Sequence, residues 1–274
     1  MASITMTPEA RSTSTDSSLN LSFQTARLSF MRLCLADSLA LHELRTEPEV
    51  MKWTIQKIPD ASLQQTENWI RATMTTDTYP FTSSSDREYE EEGSPVMDQT
   101  ERQWQSNTKS RSKKKWFCFA VRELAYIQSL ENKDDPRQDR IVGIVGIKGA
   151  ESPITKRLQH ELGYMFVPRV WGKGYASEAV KGIVRWWFGY LDSLNFSGLE
   201  DSRGEGEKED GGEGEVVDNE RVYAIISKKN GASRRVLEKC EFQVVGGSRE
   251  NNDVGSGDGE ELIEFYISRA DVMI

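Results

Sequence analysis

Histidine is nearly missing from this 274-residue chain, which has two. Few imidazoles are therefore on hand for acid–base work near neutral pH. Cysteine is scarce as well. Cys34, Cys118 and Cys240 are widely separated, each in or beside an apolar run. They read as reduced core thiols in a reducing compartment and argue against a disulfide framework. No metal site is expected. No run of eighteen apolar residues occurs, so no spanning helix is expected, and the Ser-, Thr- and Pro-containing N-terminus lacks the apolar core of a secretory signal. With Arg11 its one basic residue before Arg27, that N-terminus is also a poor transit peptide. The expected location is cytoplasmic, with the nucleus as a second compartment. A positive charge excess is missing too: of the net −9, residues 200–220 carry −8 (ten acidic, two basic), which leaves −1 for the rest. A like-charged block in a glycine-rich run reads as a solvated, disordered loop, so bulk charge identifies no substrate.

What is present suffices for a core, with 37% hydrophobic residues and seven tryptophans. Residues 1–20 read as a disordered tail and 21–274 as a single domain. Low-complexity insertions interrupt it near 82–115, 194–220 and 246–261. Within the first of these, Lys109–Lys115 is a basic run beside Trp116. A short basic run in a charged linker is usually just solvated, so nucleic acid is not an expected partner.

Thr25–Leu35 alternates apolar and polar residues as a half-buried first strand does, and Asp37 stands where a helix N-cap belongs. Ala40, Leu41 and Leu44 form the face of the helix that follows. Ser62 with Gln65 forms a capping box for a second helix carrying Trp69, Ile70 and Met74. Trp116–Arg122 and Ile141–Lys148 are dense in branched and aromatic residues and read as strands. Arg221–Ser227 is another, followed by a short helix over Ser233–Lys239. Glu241–Val245 and Leu262–Ser268 pair as closing strands.

The stretch Glu161–Phe188 organises these parts. Leu162–Val167 reads as a strand that Pro168 closes, with Gly163 suggesting a bulge. Gly172, Lys173 and Gly174 follow, where missing side chains let backbone N–H groups approach an anion. Ala176, Ala179, Val180, Ile183, Val184 and Trp187 then recur at helical spacing, so a diphosphate would sit at that helix's N-terminus. A Walker A loop is excluded, because Gly174 and Tyr175 do not supply its Gly-Lys-Ser/Thr ending. A dinucleotide fingerprint fits poorly, since Ser177 stands where its third glycine or alanine belongs.

Arg169, Gly172 and Gly174 match the Arg/Gln-x-x-Gly-x-Gly/Ala signature, and the segment resembles the GNAT superfamily of acetyl-CoA-dependent N-acetyltransferases. It is most similar to the branch that includes the ribosomal-protein N-terminal acetyltransferases, through Glu161-Leu162-Gly163-Tyr164, Pro168 and Gly172–Ala179. Asn230, Ser233, Val236, Leu237, Glu238, Lys239 and Phe242 resemble a second block of the family. The resemblance spans roughly Ala26–Arg269. It implies an α/β (α+β) fold, a central mixed and mostly antiparallel sheet flanked by helices.

It also implies acetyl transfer from acetyl-CoA, a cosubstrate, to an amine by direct attack, the acceptor being a protein N-terminus, a lysine or a small molecule. The pantetheine arm would bond to backbone near Met165, Phe166 and Val167. Amides of Val170, Trp171, Gly172, Lys173, Gly174, Tyr175 and Ala176 would hold the diphosphate, with charge from Arg169 and Lys173. Asn230 and Ser233 would meet the pantetheine arm, while Asn230 is equally a favoured helix cap. Glu161, which begins the strand and matches the branch's carboxylate, is the base candidate, and His160 is its rival on the opposite face of the strand. Where many members carry a tyrosine acid this chain has Leu237, and Glu241 replaces the glycine before Phe242. Tyr164, Tyr175 or water would then protonate the thiolate. Leu237 and Glu241 also motivate an alternative, a catalytically weak coenzyme A-binding or scaffold protein.

Overall fold

A computed structural model of the chain describes residues 22–74, 116–125, 140–196, 218–245 and 261–272. The tail over 1–20 and most of the three insertions lie outside the described residues. In chain order the elements are β1 (Ser22–Gln24), β2 (Leu28–Arg32), a 3-10 turn (Leu35–Asp37), α1 (Ser38–Arg45), α2 (Pro48–Met51) and α3 (Leu63–Met74). Then come β3 (Trp116–Glu123), β4 (Gly143–Glu151), β5 (Leu158–Phe166) and α4 (Tyr175–Phe196). The series ends with β6 (Arg221–Ser227), α5 (Gly231–Lys239), β7 (Gln243–Val244), β8 (Leu262–Ser268) and a closing turn of helix, Arg269–Val272. The strands form one mixed sheet in the order β1-β2-β3-β4-β5-β6-β8-β7. Every neighbouring pair is antiparallel except β5 and β6, which run parallel.

Expected strands and observed ones differ in three informative places. Thr25–Leu35 is not one strand, because the chain reverses at 25–27, where the Thr25 amide donates to Leu28 O (2.9 Å). The hairpin brings Phe23 opposite Phe30, and their stacked rings, 4.2 Å apart, enter the core. Second, β5 starts at Leu158, so Glu161 lies inside the strand and not at its beginning. Third, β5 pairs with β4 in unbroken register through Gly146↔Gly163, so no bulge interrupts that ladder at Gly163.

Strand parity sorts the sheet into two faces. Phe117 and Phe119 of β3 meet Trp186 of α4 at 5.7 and 4.8 Å between ring centroids, so their row faces α4. Burying an aromatic of this size stabilises the fold by roughly 1.5–3 kcal/mol. Trp116, one residue out of phase, meets Trp69 of α3 at 5.2 Å on the opposite face. On that face Arg122 Nη2 reaches Asp37 Oδ1 at 2.5 Å, with both side chains wholly buried. Asp37 precedes α1 as expected, but it makes no side-chain cap there. Its other oxygen accepts from the Cys34 amide (2.8 Å). Ser62 and Gln65 do start α3: Ser62 Oγ accepts from the Gln65 amide (3.4 Å) and Gln65 Oε1 from the Ala61 amide (2.6 Å).

Candidate active site

The parallel strands β5 and β6 share a single register position, Glu161↔Tyr223, whereas β4 and β5 share nine. Past that position no ladder joins Gly163–Phe166 to β6, so their backbone edge faces a gap in the sheet. Two linkers cross the open end. After β5 the chain makes a 3-10 turn, Pro168–Val170, and enters α4 through Gly172 and Gly174. After β6 it enters α5 through Asn230.

Gly172 (φ +75°) and Gly174 (φ +80°) both occupy the left-handed region that side chains disfavour. Nothing lies within 4 Å of a Cβ built on Gly172, so its backbone conformation and not crowding calls for glycine there. Hydrogen bonds narrow the cradle expected from the sequence. The Val167 amide donates to Val142 O (3.0 Å), that of Val170 to Val167 O (3.1 Å) and that of Trp171 to Pro168 O (3.0 Å). These three donors are spent inside the protein. The Lys173 amide makes a longer bond to Val170 O (3.3 Å). What remains for an anion is Gly172, Gly174 and the first amides of α4, Tyr175 and Ala176, which have no helical acceptor. Such donors at the positive end of a 22-residue helix suit a diphosphate. Arg169 and Lys173 are exposed beside the loop, and Arg169 Nη2 turns back to Ile141 O at 3.5 Å. Trp171 leaves its ring half exposed and donates its indole N–H to Phe166 O (2.7 Å), so that carbonyl is already engaged.

Adjacent positions of β5 place the two base candidates on opposite faces. His160 packs against Trp187 of α4 (4.9 Å) and donates from Nε2 to Asn219 Oδ1 (2.9 Å). Its burial pushes the imidazole below its usual range, so it is neutral at pH 7. Glu161 faces the other way, in one row with Lys148, Tyr223 and Tyr266. Lys148 Nζ lies 3.1 Å from Glu161 Oε1 and 5.7 Å from the Trp116 ring. On the same strand Gln159 Nε2 reaches Oε1 of the buried Glu264 (2.8 Å), which Ser152 Oγ also meets (2.7 Å); Glu264 Oε2 has no partner among the described residues.

Tyr164 sits on the α4 face, and its hydroxyl crosses to α5, donating to Ser233 O at 3.3 Å. Burial drives that hydroxyl well above the usual tyrosine range, so it stays protonated. Tyr175 is turned elsewhere. It bonds to Glu123, which raises its pKa, and lies under the Arg27 guanidinium at 4.5 Å. Asn230 caps α5, its Oδ1 accepting from the Ser233 amide (3.0 Å). Leu237 is fully buried, which explains the missing hydroxyl there: it is a core residue. Burial raises the thiols of Cys118 to about 12 and Cys240 to about 11, so neither offers a thiolate nucleophile at neutral pH.

Sequence reasoning passed over two residues at this site. Lys148 had a signal: a hairpin turning around Ser152–Arg157 sets Lys148 opposite Glu161. Arg27 had none, since its contacts with Glu178 bridge 151 positions of chain.

The family profile described as the acetyltransferase (GNAT) domain matches residues 27–243, and the chain belongs to that family. An acetyltransferase of the GNAT family from Bacillus anthracis shares the fold at TM-score 0.51 and 15% identity, over 90% of this chain and 98% of that one. A ribosomal L7/L12 alpha-N-protein acetyltransferase in complex with coenzyme A gives 0.49 at 12%, over 90% and 97%. The ribosomal-protein-S5-alanine acetyltransferase from Vibrio fischeri gives 0.49 at 15%, over 93% and 100%. No curated protein matches the sequence significantly. Among the described residues no helix is long and apolar enough to cross a membrane, and no group of three or more His, Cys, Asp or Glu is placed to hold a metal ion.

Proposed function

We propose that the protein transfers the acetyl group of acetyl-CoA to an amine by direct attack. The observation that carries this reading is the sheet gap after Glu161↔Tyr223, which ends beside two left-handed glycines at the N-terminus of α4. The amides of Gly172, Gly174, Tyr175 and Ala176 would hold the diphosphate, and the Phe166 amide, on the unladdered edge of β5, would meet the pantetheine arm. Bound there, the coenzyme supplies an acyl thioester whose carbonyl an amine can attack. Glu161 accepts the amine's proton, directly or through a water, and Lys148 orients the carboxylate by holding Oε1. Tyr164, kept protonated by burial, would serve as the hydroxyl acid once its bond to Ser233 O is exchanged for one to the departing sulfur. The protein is proposed to work in the cytoplasm, on a protein N-terminus, a lysine or a small-molecule amine. A second reading, a coenzyme A-binding protein of weak turnover, draws on Leu237, whose buried place in the core leaves α5 without a tyrosine acid.

Thioester consumption measured against a panel of peptides, polyamines and small amines tests the choice. Amine-dependent release of free thiol is expected. Coenzyme A binding without turnover on any amine would favour the second reading, and absence of binding would overturn both.

A further inference from the structure

The β1–β2 turn is fastened to the first turn of α4 by an unusually dense set of bonds. Glu178 Oε1 accepts from Thr25 Oγ1 (2.6 Å) and from the Arg27 amide (2.8 Å), while its Oε2 accepts from Arg27 Nε (2.6 Å). Arg27 Nη1 continues past the carboxylate to donate to Lys173 O at 3.0 Å. Its Nη2 borders Gly174, lying 3.5 Å from where a Cβ on that glycine would be. Stacking over Tyr175 (4.5 Å) fixes the plane of the guanidinium. Gly182, one turn further along α4, makes the approach possible, because a Cβ there would meet Thr25 Cγ2 at 2.8 Å.

This arrangement resolves an electrostatic conflict. A carboxylate in the first turn stabilises a helix by the same positive end that attracts an anionic ligand, so Glu178 and a diphosphate compete. The Glu178 amide bonds to Gly174 O (3.0 Å), which places its charge one turn from the cradle. Burial works against ionisation of Glu178, yet the bonds from Thr25 and Arg27 outweigh it and hold the carboxyl below its ordinary range. Arg27 supplies the opposite charge at contact, and it draws the Lys173 carbonyl toward itself, away from an incoming anion.

We infer that Arg27 is a positioning residue for the coenzyme loop: it masks Glu178 and pins the Lys173 carbonyl, leaving the N-terminal charge of α4 to the ligand. The inference rests on the reading of this loop as a coenzyme diphosphate site. Both Arg27 and Glu178 remain partly accessible, at 47% and 17% of the side chain. Bulk ions can therefore reach the pair, and its effect weakens with added salt.

Calorimetric titration of the full chain with coenzyme A, for the wild type and three variants and with thermal unfolding of each, provides the test. Arg27→Gln is expected to weaken binding at least tenfold, since it bares Glu178. Arg27→Gln with Glu178→Gln is expected to recover most of that loss, although it removes still more hydrogen bonds. A strut without an electrostatic role predicts the reverse, a double variant at least as weak as Arg27→Gln, and that result overturns the inference. So does unchanged affinity in Arg27→Gln. Arg27→Lys keeps the charge but cannot span Glu178 and Lys173 O together. Affinity within about threefold of wild type is expected for it, and this variant decides the matter should Arg27→Gln fail to fold. Wild-type protein that binds no coenzyme A would overturn the diphosphate reading and the inference with it; binding by wild type with no charge rescue overturns the inference alone.

Discussion

Replacing Tyr164 by phenylalanine separates a structural hydroxyl from a catalytic one by size of effect. The ring stays in its packing site, so the change removes the bond to Ser233 O and little else. A neutral hydrogen bond contributes about 0.5–1.5 kcal/mol, and at 3.3 Å, beyond the usual O–H···O range, the lower half applies. For a domain of this size 1 kcal/mol corresponds to about 2–4 °C, so a melting temperature lower by about 1–4 °C is expected. A general acid contributes on the order of a hundredfold to ten-thousandfold to turnover. Stopped assays of kcat and KM from pH 6 to 10, with calorimetric melting alongside, read both numbers. The acid role requires kcat to fall at least a hundredfold with KM for acetyl-CoA nearly unchanged. Near-normal kcat with the small loss of stability would refute it and leave the hydroxyl as a tie between β5 and α5. The alkaline limb adds a sign to check. A hydroxyl whose folded pKa is raised contributes stability that is present below its unfolded pKa, about 10, and is lost as pH climbs above it. Tyr164→Phe should therefore flatten the decline in stability above about pH 10.

Glu161→Gln is expected to lower kcat by about a hundredfold to ten-thousandfold while acetyl-CoA affinity holds, with partial rescue at high pH as more amine is neutral. Normal turnover across pH 6 to 9 would make its pairing with Lys148 purely structural. Glu241, exposed in the left-handed region at φ +68°, is strained where glycine is not, so Glu241→Gly should raise stability by about 1 kcal/mol; a lower melting temperature would contradict this. Asp60 accepts from Arg45 at 2.6 and 2.9 Å, Thr66 at 2.7 Å and Gln56 at 2.8 Å, and Asp60→Asn should cost about 3–5 kcal/mol by leaving Arg45 buried and unpaired. Burial opposes ionisation of Asp60, but those bonds outweigh it and lower its pKa. Its contribution is therefore present above the unfolded value near 4 and fades as pH falls through the folded one, so the variant should show a flatter acid limb in urea melts.

Local signals carried much of this structure. Arg221–Ser227 reads as a strand and is one to the residue, because branched side chains alternate between turn signals. Gly172 and Gly174 read as a place where backbone amides approach an anion, and the folded chain adds a left-handed backbone at both that little besides glycine tolerates. The Asn230 cap was equally plain. What stayed hidden depends on partners distant in the chain. Phe23 and Phe30 turn an apparent single strand into a hairpin because α4 receives both rings, and nothing between residues 25 and 35 encodes that. Glu161 reads as a strand-opening carboxylate until β4 extends β5 backwards to Leu158. The spent amides of Val167, Val170 and Trp171 follow from carbonyls whose positions only the folded turn defines.

The gap between β5 and β6 gives this sheet two additional edges in its interior. An open edge is a template for any extended chain that can supply the complementary donors and acceptors, and proteins ordinarily blunt such edges with charge, proline or a covering element. Here Pro168 stands two residues past the end of β5, α5 closes over one face through Tyr164, and Glu161 with Lys148 marks the point where pairing stops. A ligand with an amide-bearing arm would act as a short surrogate strand, completing a ladder that the polypeptide leaves unfinished. The ligand-free protein then carries an unpaired strand edge within its own sheet, bordered by β5 and β6.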